Sequence, residues 1–227
     1  MTRLYFLVEG PTELEFVKRV LAPHLNAAGI WTYAQAVETS RDALGPKRRG
    51  GGRWKNWARD LGRLTSQQKG ADVRFTTMFD LYGLPDDFPA LTTYSMERNT
   101  VKRADQLEAA MATAVRDHRL IPYIQRHEFE ALVLSALGSL AMLFDNAEDI
   151  AGVAALRRTL EGEAPEEVND GEHSAPSKRL IAAIPSYRKT LHGPGAVAEA
   201  GLGALRTRCP RFDAWVKKLE ALRRSES

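Results

Sequence analysis

The chain opens with an almost unbroken run of apolar and β-favouring residues. Residues 3–8 read RLYFLV, a pattern typical of a strand that is covered on both faces of a sheet. Gly10 and Pro11 interrupt the run, and a helix is predicted after them. The apolar stripe of this helix consists of Leu14, Phe16, Val17, Val20 and Leu21. Residues 30–37 predict a second strand, so the first part of the chain predicts a strand, a helix and a strand.

The same alternation continues along the chain. Residues 73–79 (VRFTTMF) predict a strand that ends at Asp80, and residues 120–125 predict a short one. Helices are predicted over residues 54–64, 104–116 and 128–137. Strands that alternate with helices indicate an α/β fold, in which a parallel sheet is flanked by helices.

Beyond Ile150 the pattern becomes helical and rich in loops, with frequent proline and glycine. We expect a single domain over residues 1–227, since a chain of this length can bury one substantial core. Its core of about residues 1–145 would carry the sheet, and about residues 146–227 would form a helical, loop-rich extension.

Composition narrows the class of protein. The apolar fraction of 44% and the charged fraction of 27% are those of an ordinary globular protein. Apolar runs are too short for a signal peptide or a membrane span. The single cysteine, Cys209, excludes a disulfide within the chain and a cysteine-based zinc site. We therefore expect a cytoplasmic protein without a membrane association.

Positive charge is concentrated in one segment. Residues 41–63 contain eight Lys or Arg and two Asp, so this segment carries +6 while the whole chain carries +3. Within it, residues 45–52 (GPKRRGGG) predict a flexible basic loop, because four glycines and a proline hold regular structure only at a cost. The segment indicates either a surface for a polyanion such as nucleic acid or a solvated loop and helix face.

Two acidic residues stand where predicted strands end. Glu9 follows the first strand and Asp80 ends the third. Ligands of open parallel sheets bind at the carboxyl ends of the strands, so both carboxylates are expected in one crevice. Two carboxylates that lie close together repel unless a cation lies between them, and hard oxygen ligands suit Mg²⁺ or Mn²⁺.

Further acidic residues offer alternatives. Glu13 lies in the first turn of the predicted helix, where its spacing favours a capping glutamate over a ligand. Glu128 and Glu130 are two residues apart, so on a helix they would point about 200° apart and only one is expected to face the crevice, whereas at a strand–helix junction either geometry is possible. His127 is interpreted as a structural histidine, although it could also bind a metal or act as a base.

These motifs together resemble a known family. The motifs are EGPTE (9–13), FDLYGLP (79–85), PYIQRHEFEAL (122–132), NDGEHSAPSKRL (169–180), YRKTLHGP (187–194) and LRTRCPRFDAW (205–215). In this order they resemble the bacterial "domain of unknown function 4276" family, over nearly the whole chain. The resemblance implies a TOPRIM-like core related to topoisomerases, primases and nucleases of the overcoming-lysogenisation-defect (OLD) type. It also implies a setting beside ABC-type ATPases in defence or repair operons.

The resemblance also implies site residues. Glu9 matches the glutamate that ends the first TOPRIM strand, and Glu13 matches a second acidic residue of OLD-type nucleases. Asp80 matches the first aspartate of an Asp-x-Asp motif, but Tyr82 stands in place of the second. Glu128 or Glu130, or else Asp86 or Asp87, would have to complete the site, or the site would hold one metal weakly.

The leading hypothesis is metal-dependent phosphodiester cleavage of nucleic acid, most simply DNA, with Mg²⁺ or Mn²⁺. Additional positive charge at the phosphate could come from Lys178, Arg179, Arg188 and Lys189. The backbone of the nucleic acid would contact Lys47, Arg48, Arg49, Arg53 and Lys55. Trp54 or Trp57 could stack on bases, or both could belong to the core.

The sequence is also compatible with two other functions. One is a binding subunit that contacts nucleic acid without cutting it and docks on a separate ABC-type ATPase. The substitution at Tyr82 favours this alternative, and the chain has no GxxxxGK[ST] phosphate-binding loop of its own. The other is nucleotidyl transfer of the primase type, which no nucleotide-binding signature supports.

Overall fold

The computed structural model describes residues 1–40, 48–49, 52–168 and 175–223. Its strands are β1 (Thr2–Val8), β2 (Ile30–Ala36), β3 (Glu38–Ser40), β4 (Arg48–Arg49), β5 (Val73–Asp80), β6 (Leu120–Ile121) and β7 (Ile124–Gln125). Five of the described strands form one sheet in the order β2-β1-β5-β6, and β7 also pairs with β5. Every pairing in this sheet is parallel. The predicted α/β fold with a parallel sheet is confirmed.

The strand predicted over residues 120–125 is split into two short strands. Pro122 has no N–H to donate to a neighbouring strand, so a continuous ladder is interrupted there. Thr77 bridges the gap, because its hydroxyl donates to the carbonyl oxygen of Tyr123 and accepts from the Tyr123 N–H, both at 2.9 Å. Both β6 and β7 thereby stay aligned with the single long strand β5.

Helices cover both faces of the sheet. They are α1 (Pro11–Phe16), α2 (Ala22–Ala27), α3 (Trp54–Gln67), α4 (Thr100–Val115), α5 (Glu130–Ser135), α6 (Leu137–Ala141), α7 (Ala147–Thr159), α8 (Pro176–Ala183), α9 (Lys189–Arg208) and α10 (Pro210–Glu220). A π-helical turn (Val17–Leu21) joins α1 to α2, and a 3-10 turn (Pro165–Glu167) precedes α8.

The sheet separates two hydrophobic clusters, because successive side chains of a strand point to opposite faces. On one face, Leu4 and Phe6 of β1 pack with residues of α1, α5, α9 and α10, including Trp215. On the other face, Leu7 of β1 and Phe75 of β5 pack with α3 and α4. Residues beyond 146 thus share a hydrophobic cluster with the first strand, which fixes the C-terminal helices against the sheet.

The basic loop departs from its prediction in part. Arg48 and Arg49 form β4, which pairs antiparallel with β3, so the expectation of irregular structure was wrong at these two residues. Between the glycines, two consecutive arginines can extend and satisfy their backbone groups on a neighbouring segment. Lys47 lies outside the described residues. Across the described part of the chain, no helix is long and apolar enough to cross a membrane.

Candidate functional site

The carboxyl ends of β1 and β5 bring Glu9 and Asp80 together. The two strands are neighbours and run parallel, so both residues lie at the same edge of the sheet. The backbone N–H of Asp80 donates to Oε2 of Glu9 at 3.1 Å, and the N–H of Glu9 donates to the carbonyl oxygen of Met78 at 3.1 Å. The predicted convergence of these two carboxylates is confirmed. Both residues are partly exposed as a whole, whereas Oδ1 of Asp80 is buried.

Gly83 packs directly against the carboxylate of Glu9. A Cβ atom at this position would lie 2.5 Å from both carboxylate oxygens, which is well inside van der Waals contact. The turn after β5 can therefore approach Glu9 this closely only with glycine, and it restricts where the carboxylate can lie.

Glu13 combines a capping role with a place near the two other carboxylates. Its Oε2 accepts a hydrogen bond of 2.8 Å from the N–H of Gly10, which closes a capping box at the start of α1. The capping interpretation is thus confirmed. The same side chain is buried. Burial and then the charge of Glu9 raise the pKa of Glu13. Burial and then the charge of Glu13 raise the pKa of Asp80. Capping does not remove Glu13 from the site.

Glu128 and Glu130 approach the same cation. The Nζ atom of Lys189, at the start of α9, lies 3.5 Å from Oε2 of Glu128 and 3.5 Å from Oε1 of Glu130. The expectation that only one of the two glutamates faces the crevice was wrong. It assumed that both lie on one helix, whereas α5 begins at Glu130 and Glu128 precedes it.

We call Glu9, Glu13, Asp80, Glu128 and Glu130 the carboxylate cluster. Burial, and then repulsion from neighbouring carboxylates, raises the pKa of Glu13 to about 7. Burial raises the pKa of Glu9 to about 6 and that of Glu130 to about 7, although Lys189 opposes the rise in both. The pKa of Asp80 is raised well above its usual value by burial and by the charges of Glu13, Glu9 and Glu130. Ionising all of these buried carboxyl groups is therefore costly in the metal-free chain, in which Lys189 is the neighbouring cation.

Several buried polar atoms in this region have no hydrogen-bond partner among the described residues. They include Oδ1 of Asp80, Oε2 of Glu128 and the hydroxyl of Tyr187. Buried polar atoms are nearly always paired in proteins, so a ligand with hard positive charge fits this donor set. Across the described residues, however, no three His, Cys, Asp or Glu side chains are already arranged so that they could hold a metal ion. The cluster fits a divalent cation by its chemistry and would have to tighten to bind one.

Tyr82 follows Asp80 by two residues and forms a hydrogen bond with His127. His127 Nε2 lies 3.0 Å from the carbonyl oxygen of Glu166, and Nδ1 lies 3.0 Å from the Tyr82 hydroxyl. A carbonyl can only accept, so Nε2 carries the proton and the tyrosine hydroxyl donates to Nδ1. Burial and the neighbouring Arg126 lower the pKa of His127 to about 4. The structural interpretation of His127 agrees with these contacts.

Comparison with known proteins identifies the family. A family model described as "Domain of unknown function (DUF4276)" matches residues 8–220. The chain belongs to the DUF4276 family. No curated protein matches it in sequence.

This DUF4276 chain also has weak likenesses among solved structures. The C-terminal region of the Burkholderia pseudomallei OLD protein is 16% identical, with a TM-score of 0.48, and the match covers 98% of this chain and 99% of that one. The C-terminal region of the Xanthomonas campestris pv. campestris OLD protein is 14% identical, with a TM-score of 0.43, over 98% and 96% of the two chains. Neither likeness is strong enough to transfer an activity.

The basic residues expected to contact nucleic acid lie on several elements of the DUF4276 fold. Arg53 and Lys55 are exposed at the start of α3, Arg188 is exposed before α9, and Arg179 is partly buried in α8. Lys178 is exposed and lines a cavity that also contains Glu128. Lys189, in contrast, points into the carboxylate cluster. Its place there links residues far apart in the chain, and no local pattern in the sequence indicates it.

The structure bears on two alternatives that the sequence leaves open, the role of the tryptophans and that of Asp87. Trp57 is fully buried, with its ring centroid 4.4 Å from that of Phe79, so it cannot stack on a base. Trp54 is partly buried and packs edge-on against Phe88. Asp87 accepts a hydrogen bond of 2.7 Å from the N–H of Trp54, so one oxygen of its side chain is engaged at the start of α3.

Proposed function

We propose that this DUF4276 protein is a phosphodiesterase that cleaves nucleic acid with the help of Mg²⁺ or Mn²⁺. The observation that supports the proposal is the carboxylate cluster, in which five carboxyl groups gather at the carboxyl edge of a parallel sheet and one lysine lies beside two of them, Glu128 and Glu130. Carboxyl groups in a crevice whose pKa values are raised by burial and mutual repulsion are characteristic of functional sites.

Glu9 and Asp80 are the proposed metal ligands, with Glu13 or Glu130 as the third. Their hard carboxylate oxygens suit Mg²⁺ and Mn²⁺, which keep several waters and bind substrate phosphate at the same time. Glu9 and Asp80 lie at the edge of the sheet and neither residue is fully buried, so we propose that a phosphate approaches a cation held between them from this edge. A divalent cation bound there would supply positive charge beside the phosphate and activate water for attack.

The chain's own residues would orient the substrate. Gly83 limits the position of the Glu9 carboxylate, and the Asp80 N–H holds one of its oxygens. Lys189 would compensate negative charge on the phosphate from within the cluster. Lys178 and the exposed basic residues on α3 would contact the nucleic-acid backbone, which carries most of the affinity in such complexes.

Cleavage assays test the proposal directly. Purified protein is incubated with supercoiled plasmid, single-stranded DNA and single-stranded RNA in Mg²⁺, Mn²⁺ or EDTA. We expect cleavage with Mn²⁺ or Mg²⁺ alone, and a loss of more than about 100-fold in Glu9→Gln and Asp80→Asn, because even substitutions that only support metal ligands cost about 10- to 100-fold. Asp145→Asn is the matched control, since Asp145 is an exposed carboxylate outside the carboxylate cluster. Cleavage that survives in both site variants would point to a contaminant or a different site.

A second function is favoured by Tyr82. An aromatic residue in place of a carboxylate, together with the lack of a preformed three-ligand group in the described chain, suits a subunit that binds nucleic acid without cutting it. Such a subunit would act with an ABC-type ATPase in a defence or repair complex. Calorimetric titration with Mn²⁺ distinguishes the two functions. Binding that disappears in Asp80→Asn supports the enzyme, whereas no binding, with DNA left intact in the presence of the ATPase, supports the binding subunit.

A further inference from the structure

A cavity of about 500 Å³ adjoins the carboxylate cluster and shares Glu128 with it. This volume lies within the range of pockets that bind small ligands. Leu81, Leu84 and Leu91 supply an apolar lining, while Arg103 and Lys178 supply positive charge. The cavity therefore combines an apolar surface with cations, next to the place where a phosphodiester would be cleaved.

Tyr82 also lines this cavity, and its ring is held in a defined orientation. The hydroxyl donates to Nδ1 of His127, whose other ring nitrogen is fixed by the carbonyl oxygen of Glu166. The side chain is nevertheless 42% exposed. An aromatic ring that is both held in place and accessible binds at a low cost in conformational entropy.

The polar groups around the cavity point to a ligand that is charged at one end. The Nε of Arg103 is buried and has no hydrogen-bond partner among the described residues, whereas Oε2 of Glu128 already lies 3.5 Å from Lys189. A buried guanidinium nitrogen without a partner is costly, and a phosphate oxygen is the acceptor that arginine binds best. The cavity thus offers a phosphate contact close to an aromatic face.

We propose that this cavity receives one unpaired nucleotide of the strand that is cleaved, with its base stacked on Tyr82 and its phosphate bound by Arg103 and Lys178. The inference rests on the proposed function for the location of the scissile phosphate, which would lie at the neighbouring carboxylate cluster. Tyr82 follows Asp80 by two residues, so the base and the cleaved phosphate would belong to adjacent positions of one strand.

This assignment sets the substrate class. In a duplex, both faces of every base are covered by neighbouring base pairs, so a base reaches an aromatic side chain only from a single strand, a frayed end or a flipped position. The preferred substrate is therefore single-stranded nucleic acid or a junction with a single-stranded segment. In this view the tyrosine replaces a metal-binding carboxylate with a contact to the base.

Binding in EDTA tests the inference independently of cleavage. The affinity of a short fluorescent single-stranded oligonucleotide, and of the duplex of the same sequence, is measured by anisotropy for the wild type, Tyr82→Ala, Tyr82→Phe and Arg103→Gln. We expect the single strand to bind more tightly than the duplex. Tyr82→Ala should weaken its binding by about 5- to 100-fold, the range expected for stacking on one base, whereas Tyr82→Phe should stay within about threefold because it keeps the ring. Arg103→Gln should reduce the dependence of affinity on salt by about one phosphate contact.

Tyr33→Ala is the matched control, since Tyr33 is another half-exposed tyrosine, on β2, and does not line the cavity. Equal affinity of Tyr82→Ala and wild type, an equal loss in Tyr82→Phe and Tyr82→Ala, or a duplex bound as tightly as the single strand would each overturn the inference. Failure of the proposed function is recognised separately. Tyr82-dependent binding without any cleavage in Mn²⁺ would refute the nuclease and still support the nucleotide site. Cleavage at the same rate in the wild type and Tyr82→Ala would support the nuclease and refute the nucleotide site.

Discussion

Two buried groups of charged residues in this protein differ in whether their charges are paired within the chain. In the first, which we call the Arg211 cluster, Glu108 accepts hydrogen bonds from Arg211 Nη2 at 2.6 Å and from the N–H of Ile124 at 2.8 Å. Glu166 accepts from the N–H groups of Arg211 and Phe212 at 2.9 and 3.0 Å. Apart from the Nε of Arg211, the charges of this cluster meet partners within the chain.

The carboxylate cluster lacks this balance. Lys189 lies 3.5 Å from two of its five carboxyl groups, those of Glu128 and Glu130, and Oδ1 of Asp80 is buried without a hydrogen-bond partner in the described chain. A buried ion pair that is internally satisfied holds elements together, whereas an excess of buried negative charge raises the free energy of the folded state until a cation is bound. The comparison therefore separates a structural charge cluster from a candidate site by whether the charges are compensated.

The largest effect on the free energy of unfolding is expected when the cation of the Arg211 cluster is removed. Arg211→Met should lower the free energy of unfolding by about 3–5 kcal/mol, because it leaves the buried Glu108 without its cation. Urea unfolding followed by circular dichroism measures the change. Arg63→Met is the control, since Arg63 is exposed on α3 and its replacement should stay within about 0.5 kcal/mol. A loss below about 1 kcal/mol at Arg211 would mean that the cluster contributes little to stability.

The carboxylate cluster should make the metal-free protein less stable as the pH rises. A carboxyl group with a higher pKa in the folded chain than in the unfolded chain binds its proton more tightly when folded. Its destabilising effect is therefore absent below about pH 4.5 and complete above about pH 7, as the values for Glu9, Glu13 and Glu130 require. One unit of pKa difference corresponds to about 1.4 kcal/mol, and because the groups are coupled we expect a total loss of about 2–4 kcal/mol between pH 5 and pH 8.

Divalent cation provides the control for this pH dependence. A ligand that binds only the folded chain stabilises it in proportion to the logarithm of its concentration over Kd, and Mn²⁺ competes with protons for the same oxygens. Thermal unfolding in EDTA and in Mn²⁺ should therefore diverge as the pH rises from 5 to 8. Parallel curves over this range would contradict the view that the carboxylate cluster holds a cation.

Much of the fold could be predicted from local patterns. The run RLYFLV predicts β1, VRFTTMF predicts β5, and the rule that parallel strands present their carboxyl ends at one edge brings Glu9 and Asp80 together. These inferences succeed because they depend on the periodicity of short segments and on the common direction of parallel strands, which follows from the alternation of strands and helices.

The rest depends on contacts between distant segments. Nothing near Lys189 indicates that α9 carries it to Glu128 and Glu130, about sixty residues earlier in the chain. The expectation that only one of Glu128 and Glu130 faces the crevice failed because the helix was predicted to begin two residues too early. Trp57 looked like a candidate for base stacking within a basic helix, but helical spacing alone cannot tell which face of α3 packs on β5.

Gly83→Ala should disturb the carboxylate cluster at a moderate cost in stability. The new Cβ atom would lie 2.5 Å from both Glu9 oxygens, so either the carboxylate or the turn must move, at about 1–2 kcal/mol. Calorimetry should show Mn²⁺ affinity reduced by at least about tenfold, as for other changes beside a metal ligand. Gly62→Ala is the matched control, because a Cβ there has no neighbour within 4 Å and lies within α3, where alanine should stabilise by about 0.5–1 kcal/mol. Unchanged Mn²⁺ affinity in Gly83→Ala would show that the position of Glu9 is not important for binding.

The smallest expected effect on stability separates the two roles of Glu13. Glu13→Gln can still accept the hydrogen bond from the Gly10 N–H, so its free energy of unfolding in EDTA should stay within about 0.5 kcal/mol at pH 6, whereas Glu13→Ala loses the cap and about 1 kcal/mol. If Glu13 also binds the cation, both variants should lose Mn²⁺ affinity equally in calorimetry, because an amide cannot replace the charge of a carboxylate. Wild-type affinity in Glu13→Gln would assign Glu13 to capping alone and leave Glu130 as the third ligand beside Glu9 and Asp80.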